Sequence, residues 1–100
     1  MNSRENMRLP FAKCPVLIGT IDNKCEGEIV LYAPQYKDGS RYVCKVQFKG
    51  AEKYNREIGG LDQLHTLECA LTYLNGIRNN SKDPEFFWTN GDTMFVDQDV

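Results

Sequence analysis

The sequence predicts an α+β fold: an antiparallel sheet of about five to six strands with one main amphipathic helix packed on one face. Three observations carry this. Leu64, Leu67, Ala70, Leu71, Leu74 and Ile77 recur at helical spacing between Asp62 and Arg78. Residues 41–49 alternate polar and apolar side chains with a period of two. The turn Asn90-Gly91-Asp92 sits between the apolar runs Phe86-Phe87-Trp88-Thr89 and Thr93-Met94-Phe95-Val96.

In chain order, residues 1–13 are polar and irregular and read as a flexible arm, with a single domain over 14–100. A first strand spans 15–21, and Asp22-Asn23-Lys24 turns the chain into a second over 28–33, ended by Pro34. Lys37-Asp38-Gly39-Ser40 is turn chemistry before the third strand, 41–49. Tyr42, Cys44, Val46 and Phe48 are expected to face inward. Arg41, Val43, Lys45, Gln47 and Lys49 are expected on a half-wet outer face. A loop at Gly50-Ala51-Glu52 would return residues 53–58 as a fourth strand, with Tyr54 opposite Phe48 and Glu57 opposite Lys45. Gly59-Gly60 forms a corner into the helix, and Asp62 caps its free amide groups. The helix ends between Gly76 and Asn80, and strands 86–89 and 93–97 close the domain. If the leucine face is buried, Asp at Leu67 or Leu71 leaves an unpaired carboxylate in the core.

Composition narrows the class. Leu, Ile, Val and Phe supply 24 of the 100 residues, above the ~20% below which charged chains stay disordered. A net charge of -2 argues against nucleic acid as a partner, since such proteins present a strongly basic footprint. Residues 1–53 hold nine Lys/Arg against six Asp/Glu, and residues 54–100 hold three against eight, a mild end-to-end polarity. Cys14, Cys25, Cys44 and Cys69 form no close pair of the kind that binds zinc. The N-terminal stretch has no apolar core of the signal-peptide kind, so the expected location is cytoplasmic. The longest apolar runs are far shorter than the ~20 residues of a membrane span.

With these elements placed, the chain resembles a family of small uncharacterised bacterial proteins known only as a domain of unknown function. Its members carry an aromatic-x-Cys-x-Val strand, matched by Tyr42-Val43-Cys44-Lys45-Val46. A Gly-x-Asp-x-Leu helix start follows, matched by Gly60-Leu61-Asp62-Gln63-Leu64, and then a Trp-containing strand, matched by Trp88. The match spans residues 14–96 and departs at Leu64-His65-Thr66-Leu67, where the family has Leu-Gln-Ala-Leu. The resemblance implies the α+β fold and a bacterial cytoplasmic setting. It supplies no activity, cofactor or catalytic residue.

His65 and Cys69, one turn apart, form the one suggestive constellation, on the side of the helix away from the leucines. A histidine beside a thiol can activate it, or the two can supply half of a metal site. His65 is the sole histidine, so further ligands would come from Cys14, Cys25, Cys44 or carboxylates. The plainer reading is a solvated polar face. Between the two lies a packing surface on which Cys69, Tyr73 and Gly76 seat a second copy. On the sheet, Arg41, Lys45 and Lys49, with Arg56 on the paired strand, could receive an acidic partner, and Tyr36 could add contact area; the plainer reading is again a solvated face. No serine has the context of a nucleophile elbow, and Gly59-Gly60, although it follows a strand and opens a helix, lacks the spacing of a phosphate loop and is explained by the corner.

The expected function is a non-enzymatic protein-binding module, immunity- or antitoxin-like or an accessory subunit. Its candidate contact residues are Tyr36, Arg41, Lys45, Arg56, His65, Cys69 and Tyr73, and its partner is another protein or a second copy in a homodimer. No catalytic residue, metal or cofactor is assigned. The alternatives are a purely structural homo-oligomer and a small thiol- or metal-dependent enzyme using Cys69 and His65.

Overall fold

A computed structural model describes residues 10–37, 39, 41–80 and 84–94. Its elements in order are β1 (Pro10–Gly19), β2 (Lys24–Tyr32), β3 (Gln35–Lys37), β4 (Arg41–Lys49), a 3₁₀ turn (Glu52–Tyr54), β5 (Arg56–Gly60), α1 (Gln63–Arg78) and β6 (Phe86–Phe87). Among the described residues, six strands form one antiparallel sheet with the helix packed against it, an α+β fold. Val43 lies opposite both Gln35 and Gly59, and Val46 opposite both Leu31 and Arg56. β2 and β3 therefore share one edge of β4 and β5 holds the other. β1 pairs with β2, and β6 with β1.

Several boundaries differ from the sequence reading, each for a local reason. β1 begins at Pro10 rather than near residue 15, because Pro10–Lys13 extend the pairing with β2. β2 begins at Lys24, since the turn needs only Thr20 and Asn23, whose backbones exchange two hydrogen bonds. β3 occupies the segment expected to be a loop after Pro34. The strand expected over 53–58 starts at Arg56 instead. Ahead of it, Glu52–Tyr54 wind into the 3₁₀ turn, and the Asn55 side chain accepts the Phe48 N–H at 2.6 Å where a ladder partner would have stood. Glu57 does lie opposite Lys45, and Gly59 and Gly60 belong to β5. Tyr54 is outside the ladder, yet its ring meets Phe48 edge-on at 5.7 Å. After the two residues of β6, the Trp88 N–H donates to Asp92 O at 2.8 Å and Gly91 takes φ 97°, closing the expected turn. The strand expected over 93–97 contributes a single bridge, Thr93 to Phe87, and its residues 95–97 lie outside the described residues.

The core lies between α1 and one sheet face. That face presents Val16 from β1, Ile29 and Leu31 from β2, and Cys44, Val46 and Phe48 from β4, joined by Ala70, Leu74, Phe86 and Met94. Phe48 is its centre, with the rings of Tyr54, Tyr73 and Phe86 all within 6.4 Å. The inward residues of β4 are those its alternation predicts. The opposite face is drier than expected, because Val30 and Phe87 are buried there as well.

The helix is rotated from its predicted seating by roughly 50°, taking ~100° per residue. Thr66, Ala70 and Leu74 are buried, while Leu67, Tyr73 and Ile77 are half-buried against the core. Leu64 and Leu71 are 74% and 39% exposed, so neither belongs to the buried face to which the leucine spacing assigned it. Two contacts account for the rotation. The Tyr73 hydroxyl donates to Tyr54 O at 2.7 Å while its ring packs on Phe48. Thr66 sits directly on Gly60, where no side chain intervenes, and its hydroxyl donates to Asp62 O at 2.6 Å.

Candidate functional site

The sequence-nominated residues do not converge on one site. Arg41 and Lys45 share the sheet face away from the helix. Lys45 reaches over the Tyr32 ring at 5.7 Å, and Tyr32 donates to Gln47 Oε1 at 2.9 Å. Arg56 lies opposite Val46, so it stands on the helix side of the sheet, with its guanidinium 5.9 Å from the Tyr73 ring. The basic stripe therefore lacks Arg56, because the register that sets Glu57 opposite Lys45 sets Arg56 opposite the inward Val46. Neighbouring lysines are held in exposed ion pairs, Lys37 with Glu57 at 3.3 Å and Lys49 with Glu28 at 3.5 Å. Tyr36, 61% exposed, is a β3 residue that meets Tyr42 edge-on at 5.5 Å.

On the helix, Tyr73 is half-buried with its hydroxyl engaged, which removes it from the expected packing surface for a second copy. His65 is built into the helix start. Its backbone N–H donates to Asp62 Oδ1 at 2.8 Å, and its Nδ1 accepts the Leu61 N–H at 3.0 Å. The first of these bonds satisfies an amide that the helix start leaves free, and the second takes the amide of the residue just ahead of the cap, a variant of the capping box. Asp62 is thus the cap its position predicts. Cys69, one turn on, is half-buried. Among the described residues no three His, Cys, Asp or Glu side chains gather as metal ligands.

Two further polar features have structural occupants. An open depression lined by Gly19, Thr20, Ile21, Asp22, Lys53, Pro84 and Glu85 lies beside the 3₁₀ turn. Its Glu85 carboxylate accepts the Tyr54 hydroxyl at 2.5 Å and pairs with Lys53 at 3.3 Å. The hydrogen bond to Glu85 raises the Tyr54 hydroxyl above its usual range, and the same carboxylate raises the Lys53 ammonium. Cys44 is wholly enclosed, and burial pushes its thiol up to about 11 from 9.0. The unfolded chain then loses this proton first as pH rises, so stability is intact below pH 9.0 and falls between 9.0 and about 11. The expected loss is up to about 2–3 kcal/mol, measured as urea midpoints at pH 8 and pH 10.5. Replacing Cys44 with Ala should flatten that dependence. In the folded protein at pH 8, a disulfide-exchange reagent should modify exposed Cys25 and leave Cys44 untouched.

The surface that sequence reasoning missed is the shoulder of α1. Leu64 and Leu71 stand seven residues apart on one side of the helix, Leu67 between them leans into the core, and Leu61, 78% exposed, precedes the cap. Only the width of the apolar arc signalled it. An arc of more than a third of the circumference exceeds what one sheet contact covers once Thr66 and Tyr73 also turn inward. Fold and surface together define a small α+β domain with an apolar helix shoulder. Compared with family models, with curated proteins and with solved structures, the chain finds no match.

Proposed function

We propose that the protein is a non-enzymatic protein-binding module, an inhibitor or accessory subunit that engages its partner through the shoulder of α1. The observation that carries this reading is the exposure of Leu64 and Leu71 at 74% and 39% on one side of a helix whose other side fills the core. Apolar side chains clustered in this way on a small domain mark association sites more often than scattered single ones do. The engaged states of His65 and Tyr73 favour a structural over a chemical role for the helix face on which they stand.

The test compares the parent protein with Leu64→Ser/Leu71→Ser and with Lys45→Glu, each verified as folded by circular dichroism, as bait in extracts of the source organism. A partner retained by the parent and by Lys45→Glu, and reduced by about tenfold or more with the serine pair, is the expected result. Equal recovery by the serine variant, or no stoichiometric partner, would count against it.

A further inference from the structure

We infer that the occupant of the helix shoulder is a cationic amphipathic helix of another protein, rather than a second copy of this chain; this rests on the binding-module reading above. The argument is charge complementarity. Between residues 61 and 77 the chain has no Lys or Arg, and its two acidic residues, Asp62 and Glu68, are both exposed. Glu68 lies four residues after Leu64 and three before Leu71, so it borders both leucines on the helix surface. The nearest basic residue along the helix, Arg78, is turned inward. Its Nη1 approaches Cys14 Sγ at 3.4 Å, its Nε donates to Asn75 Oδ1 at 3.1 Å, and its guanidinium lies 5.8 Å from the Trp88 ring.

The shoulder is therefore an apolar strip bordered by the Glu68 carboxylate and free of basic side chains along its helix, and it complements a helix with leucine-like anchors at i, i+3 or i+4 and i+7 flanked by Lys or Arg. A second copy fits poorly. A two-fold contact sets the same patch against itself, which brings Glu68 of one copy towards Glu68 of the other with no lysine on either side to offset them.

Two synthetic peptides of five helical turns, about 18 residues, decide the matter. Both carry Leu on one face, and the remaining positions are Lys in one and Glu in the other. Binding to the full chain at low salt is read by fluorescence anisotropy, with chemical-shift mapping of the contact. The expected result is that the Leu/Lys peptide binds about tenfold or more tightly than the Leu/Glu peptide. Leu64→Ser/Leu71→Ser should abolish binding, Glu68→Lys should shrink the preference, and added salt should shrink it as well. Leucine-dependent binding of both peptides alike overturns the charge assignment and leaves the binding-module reading standing. Failure of both peptides to bind overturns the inference, while the extract experiment decides the broader reading independently. A dimer in light scattering that the serine pair dissolves overturns the inference in favour of self-association.

Discussion

Leu74→Asp is expected to abolish the folded state, whereas Leu71→Asp, one turn away, leaves it intact. Leu74 is 5% exposed and sits in the cluster formed by Val46, Phe48, Ala70 and Phe86. A carboxylate there has no described partner and must either ionise in an apolar surround or hold its proton at a cost. That penalty, together with the lost leucine packing, is of order 4–6 kcal/mol, comparable with the total at the lower end of the ~5–15 kcal/mol that stabilises a domain of this size. Leu71 is 39% exposed and loses only part of one shoulder, so its aspartate variant should stay within about 1 kcal/mol of the parent. Thermal melts with near-ultraviolet circular dichroism measure both. A cooperative parent-like melt for Leu74→Asp, or unfolding of Leu71→Asp, would refute the orientation of the helix.

Gly60→Ala should be the most damaging single-methyl change at the seat of the helix. A Cβ at that position would lie 2.6 Å from Thr66 Cα and 2.7 Å from Thr66 N, closer still to its hydroxyl, and backbone atoms cannot swing aside as a side-chain tip can. The first turn of α1 would have to lift from β5, breaking the seat that orients Thr66, Ala70 and Leu74 together. A loss of about 3 kcal/mol is expected, at the upper end of overpacking penalties. Gly76→Ala provides the control. Nothing stands within 4 Å of the added methyl, and alanine gains up to about 1 kcal/mol of helix propensity over glycine. Urea denaturation of the two variants should therefore move in opposite directions from the parent. Equal midpoints would show that the helix does not rest on Gly60.

Much of this architecture was legible in the residues. β4 runs over the span its alternation marks, Glu57 lies opposite Lys45, Asp62 caps α1, and the Asn90-Gly91 turn closes where the pair stands. These are local properties, governed by the pleat, the turn conformation and the free amides of a helix start, and each acts within a few residues. The parts that were not legible depend on partners distant in sequence. β3 is defined by its pairing with β4, Gln35, Tyr36 and Lys37 standing opposite Val43, Tyr42 and Arg41. Residues 52–54 forgo a strand because the Asn55 side chain takes the Phe48 amide. Arg56 lies on the helix side because it stands opposite Val46 in the very register that sets Glu57 opposite Lys45, so counting it with the outward stripe overlooked the alternation of faces along β5. The candidate set shifted for the same reason. His65 and Tyr73 were nominated as surface chemistry and serve as structural hydrogen-bonding groups, while the exposed leucines were assigned to the core.

By itself the sequence determined that this chain forms an antiparallel sheet with one capped helix, because alternation, turn residues and helical spacing each specify a backbone shape without reference to anything remote. Only the tertiary structure decided which side of that helix is wet. Six apolar positions compete for one contact, and the outcome depends on Gly60 admitting Thr66 and on Tyr54 accepting the Tyr73 hydroxyl. A rotation of half a residue's spacing about the helix axis costs nothing in local backbone energy, so packing alone chose the side left facing solvent.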